Sequence, residues 1–519
     1  MRLLLTLLAI IVVDAARTFS SRSRPSAPGR TRPPMDARAR VLPALGAAPT
    51  VPSTVSVLDF GAVGDYNITD NTAPFQAALS SLAATGGTVL VPAGGYMFLG
   101  TLVLPQGVSL IGTYTTVPSH SHSLKHDGSL LLPRAGRGSE AGPPFVLMGG
   151  DCTLRGFSII YPDVDGSVAP VPYPWTIQML GGDNAAVTDV ELLNSWNGIN
   201  ATRAARHYIA RVQGQPVNIG LFVDQTYDIG RIEDVSCSRS PFSLLLFSLH
   251  AYMHPVFALN TPLYLQVFVL SLSLSPLSSL LSPLLSFSLS MLLRSHWNPW
   301  FSDSPAYIAW QSVHGQGFVF ARTDWEYCFD TFVFGMAVGY RFIESAEGSC
   351  NGNFVGIGAD ESHNASVLVE SSDPWGILIA NGEFTAFSQS GFGPSYGNHT
   401  QIIVAASNKG AVRIINSAFW GPSVKNADIS GTGSVGFESC IFNAYDAGGV
   451  GAASIHAHAG STISVRGCEW QNQFPNAPQV LLDAGVKKAI IAENIIAGPQ
   501  LITDNGALFK PVIVNNVPG

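Results

Sequence analysis

Residues 59–94 read DFGAVGDYNITDNTAPFQAALSSLAATGGTVLVPAG, and they indicate the fold class more clearly than any other stretch of the chain. Just upstream, the alternation of Val55–Phe60 predicts a strand, and the glycines of Gly61–Asp65 predict a turn. A short helix follows, with Thr72 as its predicted N-cap and Gly86-Gly87 as its end. Its apolar residues recur with helical spacing at Phe75, Leu79 and Leu82.

Beyond the helix the chain reads as closely spaced short strands. Apolar and β-branched runs at Thr88–Val91, Thr101–Leu104 and Val108–Ile111 are separated by turns rich in Gly and Pro. One short helix thus leads into closely spaced strands that are separated by Gly and Pro turns.

This N-terminal module, residues 55–112, resembles the opening of the pectate-lyase-like superfamily, in particular the rhamnogalacturonase/epimerase-like pectate lyase domain. The resemblance implies an all-β, right-handed, single-stranded parallel β-helix with a short N-terminal capping helix. It does not specify a reaction, since similar modules open hydrolases, lyases and viral tail proteins. The resemblance rests on Asp59-Phe60-Gly61-Ala62, Gly64-Asp65, Thr69-Asp70-Asn71-Thr72, Phe75-Gln76-Ala77-Ala78, Gly86-Gly87-Thr88-Val89 and Val91-Pro92-Ala93-Gly94.

A solenoid requires short strands that recur along the whole chain. One pattern does recur: an apolar residue, two spacers, a small or apolar residue, one spacer, and a second apolar residue. Stacked in register, equivalent residues of adjacent coils would lie ~4.8 Å apart. The pattern occurs at Leu154/Phe157/Ile159, Val187/Val190/Leu192, Ile232/Val235/Cys237, Ile379/Gly382/Phe384, Ile415/Ala418/Trp420, Phe437/Cys440/Phe442, Val465/Cys468/Trp470 and Ile491/Asn494/Ile496.

The composition agrees with one large folded domain. The 519 residues are 46% hydrophobic and 10% aromatic, which excludes generic disorder, and six cysteines are too few to staple a chain of this length. Cys440 and Cys468 fall on adjacent predicted coils, where we expect buried small residues rather than a disulfide, because parallel side chains are poorly aimed for bonding.

The N-terminus reads as a secretion signal. Residues 1–16 combine Arg2, an apolar run and a small-residue cleavage site, and residues 17–50 form a predicted disordered linker rich in Arg, Ser and Pro. An uncleaved anchor and an organelle-targeting extension are the alternatives. We therefore expect a secreted protein with no membrane segment in its mature form. Predicted glycosylation sites are Asn67, Asn200, Asn364 and Asn398.

The charge balance differs between the linker and the body. Residues 1–50 hold eight Arg and two Asp, so the remaining chain has 19 basic and 33 acidic residues and a net charge of −14. Such a body lacks the basic footprint that nucleic acid requires, and nucleic acid is excluded as the expected partner. A local basic groove could still attract an acidic polysaccharide. The sequence does not specify an oligomeric state.

The predicted solenoid, residues 51–519, is interrupted by a Ser/Leu-rich insert at residues 236–295. Leu270 to Ser290 contains only Ser, Leu, Pro and Phe, which accounts for the positive mean hydropathy of +0.26. A transmembrane helix and a disordered insert are alternatives. Our hypothesis is a retained intron, because those four amino acids are encoded by all-pyrimidine codons. Removing the insert restores the coil pattern as Ile232/Val235/Trp297.

Candidate acid–base residues cluster after the insert. If Thr323 to Cys328 is a strand, Asp324 and Glu326 share one face about 7 Å apart, and Trp325 and Tyr327 face the core. A carboxylate pair at that spacing suits glycoside hydrolysis. A solvated acidic strand with a buried Trp is the alternative.

Further candidates are less specific. Glu383 should face outward on a predicted coil, and His314, beside glycines, is a candidate general acid or base. Ordinary exposed side chains are the alternative for both. The predicted substrate-binding residues are Trp300, Trp310, Trp375 and Arg322. For the three tryptophans, packing in the core is the alternative role.

These observations predict a secreted protein that acts on or binds polysaccharide. Glycoside hydrolysis by a carboxylate pair is the preferred activity, without a cofactor. No Cys or His cluster in the sequence predicts a metal site. A uronate lyase that uses Ca²⁺ and β-elimination is the second hypothesis, and a non-catalytic carbohydrate-binding or adhesion module is the third. The motifs of polygalacturonase-type hydrolases do not occur, so that mechanism cannot be transferred residue by residue.

Overall fold

The computed structural model describes residues 53–115, 128–163, 168–179, 181–235, 305–385, 399–472 and 476–519. Short strands wind into a right-handed β-helix, and every pairing between these strands is parallel, as the sequence predicts. They form three sheets, which we call A, B and C. The helical elements of the described residues are Val57–Phe60 (3₁₀), Thr72–Ser81 (α1) and Pro305–His314 (α2).

Sheet A consists of Thr54–Ser56, Asp65–Asp70, Gly87–Leu90, Gly94–Phe98, Val108–Ile111, Ser129–Pro133, Thr153–Ile160, Ala186–Leu193, Tyr208–Gly214, Arg231–Glu233, Thr323–Phe329, Cys350–Val355, Ile377–Ala380, Ala411–Ile415, Ser434–Glu438, Thr462–Arg466, Lys488–Ala492 and Val512–Val514. Sheet B consists of Leu102–Leu104, Val146–Met148, Trp175–Met179, Asn197–Thr202, Ile219–Asp224, Gln316–Phe320, Val338–Phe342, Ala365–Val369, Thr400–Val404, Lys425–Ile429, Ile455–Ala457, Val480–Leu482 and Ile502–Asp504. Sheet C consists of Phe332–Phe334, Gly358–Asp360, Glu383–Thr385, Ala418–Trp420, Ile441–Phe442, Glu469–Trp470, Ile495–Ile496 and Val517–Pro518.

Each coil passes from sheet B to sheet A, bends sharply, and continues into sheet C or, in earlier coils, along the same long strand. The bend places one residue in the left-handed backbone region, where Asn, Asp and Gly are favoured. The next residue then points into the core. The bend residues, with φ between 47° and 81°, are Gly156, Asp189, Arg211, Asp234, Asp330, Gly356, Asn381, Asn416, Ser439, Gly467, Glu493 and Asn515.

The bend explains the recurring sequence pattern, whose middle position is the residue that follows it. In the coil of Phe437/Cys440/Phe442, for example, all three side chains are buried. One predicted coil was out of frame by one residue. Ile415 is 43% exposed, and the core positions of that coil are Ile414, Ser417 and Phe419. The sequence could not distinguish the two alignments, because outward-facing apolar residues lie next to the core residues on both sides of the bend, Ile415 beside Ile414 and Trp420 beside Phe419.

Cys440 and Cys468 occupy equivalent positions on adjacent coils, as their sequence spacing predicts. Both thiols are buried and free, and the strands that precede them pair in register through Phe437 and Val465. The expectation of two buried small residues rather than a disulfide is confirmed.

The N-terminal module differs from its prediction in detail. The predicted strand Val55–Phe60 is a three-residue strand, Thr54–Ser56, followed by a 3₁₀ turn. Thr72 is the first residue of α1 and not its N-cap. Its backbone N–H and hydroxyl both donate to Asp70 Oδ1, so the carboxylate of Asp70 satisfies the helix start from two residues upstream. The predicted apolar face is buried at Phe75, Leu79 and Leu82.

Val235 is the last described residue before the Ser/Leu-rich segment, and it occupies the position after a bend. Its carbonyl accepts a hydrogen bond of 3.2 Å from Phe332 N, as Thr331 O accepts from Gly358 N one coil later. Sheet B resumes at Gln316, which pairs with Ile219. The predicted insert, residues 236–295, and Trp297 lie outside the described residues. Among the described helices, none has the length and apolar character that spanning a bilayer requires.

His399 is a buried histidine just before a strand of sheet B, and its protonation should affect the stability of the fold. Burial, and in second place repulsion by His363, lowers the pKa of His399 to about 3. Neither ring nitrogen has a hydrogen-bond partner among the described residues. His399 therefore becomes protonated near pH 6.5 in the unfolded chain but stays neutral in the folded chain until the pH approaches 3. The free energy of unfolding should fall as pH drops from about 6.5 towards 3.

We expect His399→Leu to remove part of this acid sensitivity. Urea titrations at several pH values between 3 and 7 measure it, with His314→Gln at the exposed end of α2 as the control. An unchanged slope of stability against pH in His399→Leu would contradict the assignment.

Candidate functional site

Asp324 and Glu326 do not share a face. Trp325 between them adopts a positive φ of 58°, and the pairing with the next strand shifts register between Thr323 and Glu326. The bulge turns Glu326 into the solenoid, where it is fully buried, while Asp324 stays 44% exposed. The predicted outward carboxylate pair is therefore wrong. Tyr327, expected in the core, is half-buried and stacks on Phe329.

Glu326 pairs instead with a histidine that the sequence did not single out. His207 Nε2 lies 3.0 Å from Glu326 Oε1, and His207 Nδ1 lies 2.8 Å from the carbonyl of Ala204. Both side chains have no exposed surface. Desolvation acts to lower the pKa of His207, but the charge and hydrogen bond of Glu326 outweigh it, so the pKa is raised. The buried pair cannot touch a polysaccharide.

Asp324 is bound to another predicted residue. Arg322 Nη2 lies 2.8 Å from Asp324 Oδ1, and the guanidinium lies 5.6 Å from the ring centroid of Tyr227. The Tyr227 hydroxyl in turn donates to Glu347 at 3.1 Å. Arg322 is thus largely occupied by its neighbours.

The other predicted residues are scattered. Glu383 begins a strand of sheet C with an exposed side chain. His314 ends α2 and packs on Trp310 with ring centroids 4.7 Å apart, while Trp310 also packs on Trp196. Trp375 is 73% exposed in the turn between sheets B and A. Trp300 lies outside the described residues.

Two predicted glycosylation sites can be placed. Asn364 is exposed just before a strand of sheet B. Asn200 lies within a strand of the same sheet, half-buried, and its Oδ1 accepts a hydrogen bond from the Thr202 hydroxyl at 2.6 Å. The side chain of Asn67 and the whole of Asn398 lie outside the described residues.

Five ionisable side chains from three adjacent coils meet on the outer face of sheet B. We call them the polar ring: Lys425, Asp428, His456, His458 and Asp483. Asp428 and His456 are register partners, so the pleat directs both outward at the same level. His458 follows the core residue Ala457 and therefore points the same way as His456.

The hydrogen bonds of the polar ring form a closed cycle. Lys425 Nζ donates to Asp428 Oδ2 and lies 3.3 Å from His456 Nδ1. His456 Nε2 lies 3.0 Å from Asp483 Oδ1. His458 bridges the two aspartates, with Nδ1 2.8 Å from Asp483 and Nε2 2.6 Å from Asp428.

The partners of the two carboxylates favour their ionised forms. In Asp428, burial acts to raise the pKa, but Lys425 and His458 outweigh it and lower the pKa. In Asp483, the hydrogen bonds of both histidines likewise overcome desolvation and lower the pKa. Each ring nitrogen of His458 faces a carboxylate oxygen, whereas the ring nitrogens of His456 face the Lys425 ammonium and Asp483.

A ligand can reach this ring. Its side chains are between 17% and 34% exposed. His458 and Asp483 line a shallow cleft of about 660 Å³ whose other walls come from the turns between sheets B and A, including Gly431, Thr432 and Asn505. His458 and Asp483 therefore lie side by side at the cleft wall.

Three residues of the polar ring could also bind a metal ion. Asp428, His456 and His458 each offer a ligand atom, and these atoms lie within 4.8 Å of one another. However, each histidine nitrogen already faces a carboxylate or the Lys425 ammonium. A cation would have to displace Lys425 and break the cycle, so the donors fit a proton-transfer site better than a metal centre.

A sequence signal for the polar ring exists. Ile455-His456-Ala457-His458 places two histidines around a core alanine, and Asp428 and Asp483 lie one coil before and one coil after it. The sequence interpretation concentrated on residues 296–360 and on pairs within one strand. It therefore missed residues that only the coil repeat brings together.

Comparison with known proteins agrees with the fold. Residues 54–136 match the family model described as "Rhamnogalacturonase A/epimerase, pectate lyase-like", which confirms the resemblance of the N-terminal module. No curated protein matches the chain.

Three solved structures with similarity to the chain are given with their coverage. The A-module of mannuronan C-5 epimerase AlgE4 from Azotobacter vinelandii is 12% identical, with 88% of this chain and 99% of that chain covered and a TM-score of 0.42. DFA-IIIase from Arthrobacter chlorophenolicus A6 without its lid is 11% identical, with 89% and 98% covered and a TM-score of 0.48. PfbA, a surface adhesin of Streptococcus pneumoniae, is 12% identical, with 90% and 91% covered and a TM-score of 0.36.

Proposed function

We propose that this β-helix with a pectate lyase-like N-terminal module is a secreted glycoside hydrolase that cleaves a polysaccharide at the polar ring. The observation that carries the proposal is the pair His458 and Asp483, hydrogen-bonded at 2.8 Å and exposed at one cleft. The family match of residues 54–136 supports a polysaccharide as the substrate.

The two residues take complementary roles. His458, whose ring nitrogens face two carboxylates, is the general acid that protonates the departing glycosidic oxygen. Asp483, 2.8 Å from His458, positions that ring, because the two groups are too close to act on opposite sides of the scissile bond, where a separation of at least about 5 Å is required. His456 and Lys425 hold Asp483 and Asp428 in place and can return a proton around the cycle. This replaces the expected carboxylate pair with a histidine positioned by carboxylates.

Hydrolysis fits the polar ring better than β-elimination. Elimination requires a base that removes a proton from carbon, and a carboxylate of lowered pKa is a weak base for that task. We also propose that the reaction needs no metal ion, because Lys425 occupies the place a cation would take.

A substrate screen tests the proposal. The purified protein is incubated with pectic, alginate and neutral β-glucan substrates, with and without a chelator. We expect new reducing ends on at least one polysaccharide, without the ultraviolet absorbance of unsaturated products and without loss upon chelation. Unsaturated products that depend on Ca²⁺ would establish a lyase instead, and binding without turnover would establish a carbohydrate-binding module.

A further inference from the structure

The polar ring presents three metal-binding side chains on two adjacent coils. Asp428, His456 and His458 each offer one ligand atom, and the three atoms lie within 4.8 Å of one another. Asp428 and His456 are register partners, and His458 follows two residues after His456, so all three side chains leave the same face of sheet B. Neighbouring ligand atoms of a tetrahedral zinc site lie ~3.4 Å apart, so small side-chain rotations would close the set around one ion.

The contacts of Lys425 show where a cation would lie. Its Nζ donates to Asp428 Oδ2 and lies 3.3 Å from His456 Nδ1. The second oxygen of Asp428, Oδ1, lies 2.6 Å from His458 Nε2. The ammonium group therefore occupies the place of an ion that Asp428, His456 Nδ1 and His458 Nε2 could share.

Asp483 supports both histidines from behind. Its Oδ1 lies 3.0 Å from His456 Nε2, and its Oδ2 lies 2.8 Å from His458 Nδ1. A histidine that binds a metal through one nitrogen usually donates a hydrogen bond from the other to a carboxylate, which fixes the orientation of the ring. One aspartate thus provides this outer contact for two ligands at once.

The backbone under the ligands is held by the core, and the ligands themselves can be reached from solvent. Ala427, Ile455 and Ala457, which alternate with the ligand residues, are fully buried. Side chains on such strands keep their relative positions better than side chains on loops. The ring is partly exposed, and the flexible stem of Lys425 allows its ammonium group to turn into solvent when an ion displaces it.

The donor set selects a class of cation. Two imidazole nitrogens with one carboxylate oxygen suit Zn²⁺ and similar transition metals, whereas Ca²⁺ and Mg²⁺ prefer oxygen ligands throughout. Three protein ligands leave the fourth position of a tetrahedral ion to water.

We propose that the polar ring binds Zn²⁺, or a transition-metal ion of the same class, through Asp428, His456 Nδ1 and His458 Nε2 with displacement of Lys425. The ion is a competitor of the resident ammonium group and not a cofactor. An ion on His458 Nε2 also competes with the proton that His458 delivers, so it inhibits hydrolysis reversibly. The inhibition rests on the proposed function, but binding of the ion does not.

Isothermal titration of the full chain, purified without a histidine tag and freed of metal, tests the site with Zn²⁺ and Ca²⁺ as probes. We expect one Zn²⁺ per chain and no binding of Ca²⁺. His456→Gln removes a ligand and should raise the Kd for Zn²⁺ at least about tenfold. Asp483→Asn removes the outer carboxylate and should raise it about 10- to 100-fold.

Lys425→Leu gives the sharpest prediction, because it should tighten binding. It removes a competing unit charge ~4 Å from the ion and should lower the Kd about fivefold or more. Lys409→Leu is the matched control, since it removes the same charge from an exposed position outside the polar ring, and its Kd should equal that of the wild type. Thermal melting of each metal-free variant verifies its fold.

Four results would overturn the metal site: no binding of Zn²⁺, equal affinity for Ca²⁺, full affinity in His456→Gln, or a Kd in Lys425→Leu that is not lower than in Lys409→Leu. On the polysaccharide found in the screen, Zn²⁺ should inhibit the wild type with an inhibition constant equal to its Kd, and a chelator should restore activity. Zn²⁺ that binds without inhibition would support the metal site and contradict the catalytic role of His458. Hydrolysis by a chain that binds no Zn²⁺ would overturn the metal site alone.

Discussion

His458→Gln should lower the kcat for polysaccharide cleavage by about 10²- to 10⁴-fold, the usual contribution of a positioned general acid. Gln is similar in size and can donate to one aspartate, but it cannot release a proton. Because the cleft keeps its shape, KM should change little. Steady-state kinetics on the substrate found in the screen measures both constants.

The pH profile tests the role of Asp483. In the wild type, kcat/KM should decline at low pH as Asp483 gains a proton. Since the pKa of Asp483 is lowered, this decline should occur below the usual range of an aspartate. Asp483→Asn should abolish the decline.

His314→Gln is the matched control, because this histidine is exposed at the end of α2 and lines no part of the described polar ring. Its kinetics should equal those of the wild type. Full activity in His458→Gln, or an equal loss in His314→Gln, would rule out the assigned acid. Thermal melting of each variant shows whether a loss of activity reflects a loss of fold.

Glu326→Ala should destabilise the protein by about 3–5 kcal/mol, the cost of leaving one member of a buried ion pair without its partner. His207 would remain in the core, with its Nε2 deprived of the contact at 3.0 Å. The space is tight, since a Cβ on Gly230 would approach both His207 and Glu326 within 2.6 Å. Urea denaturation measures the change.

The pH dependence of this pair has a definite sign. The pKa of His207 is raised in the folded state, so its contribution to stability is complete below the unfolded value near 6.5 and disappears as pH rises through the folded pKa. In Glu326→Ala the uncompensated imidazole resists protonation, and the destabilisation should be largest at low pH. A constant difference from pH 5 to 9 would contradict the ion pair.

Asp324→Asn is the control, because Asp324 lies two residues away on the same strand but is 44% exposed in a surface ion pair with Arg322. Surface pairs contribute little to stability, so this variant should melt near the wild type. Comparable losses in the two variants would show that the strand, rather than the buried pair, is sensitive.

The fold was predictable because its signals are local and repeated. The capping helix, the glycine turns and the coil pattern each depend on a few neighbouring residues. The one-residue error at Ile415 became visible only from the structure, in which Ile415 is exposed and Ile414 is buried. The placement of Glu326 was not predictable by alternation, since a single residue with positive φ, Trp325, reverses the direction of the side chains after it. No sequence rule anticipates that conformation at a tryptophan.

The site was harder to predict because its members are far apart in the chain. Asp428, His456 and Asp483 come from three coils, and only the register between strands brings them together. A search for outward polar residues spaced by one coil length could have found the polar ring.

The repeated left-handed bend has a consequence for evolution. Because each coil closes at the same backbone geometry, a whole coil can be duplicated or deleted elsewhere without rotating the coils that remain. The residues of the polar ring are carried by three successive coils near the C-terminus. Lineages could therefore lengthen or shorten the solenoid elsewhere while these three coils are inherited together.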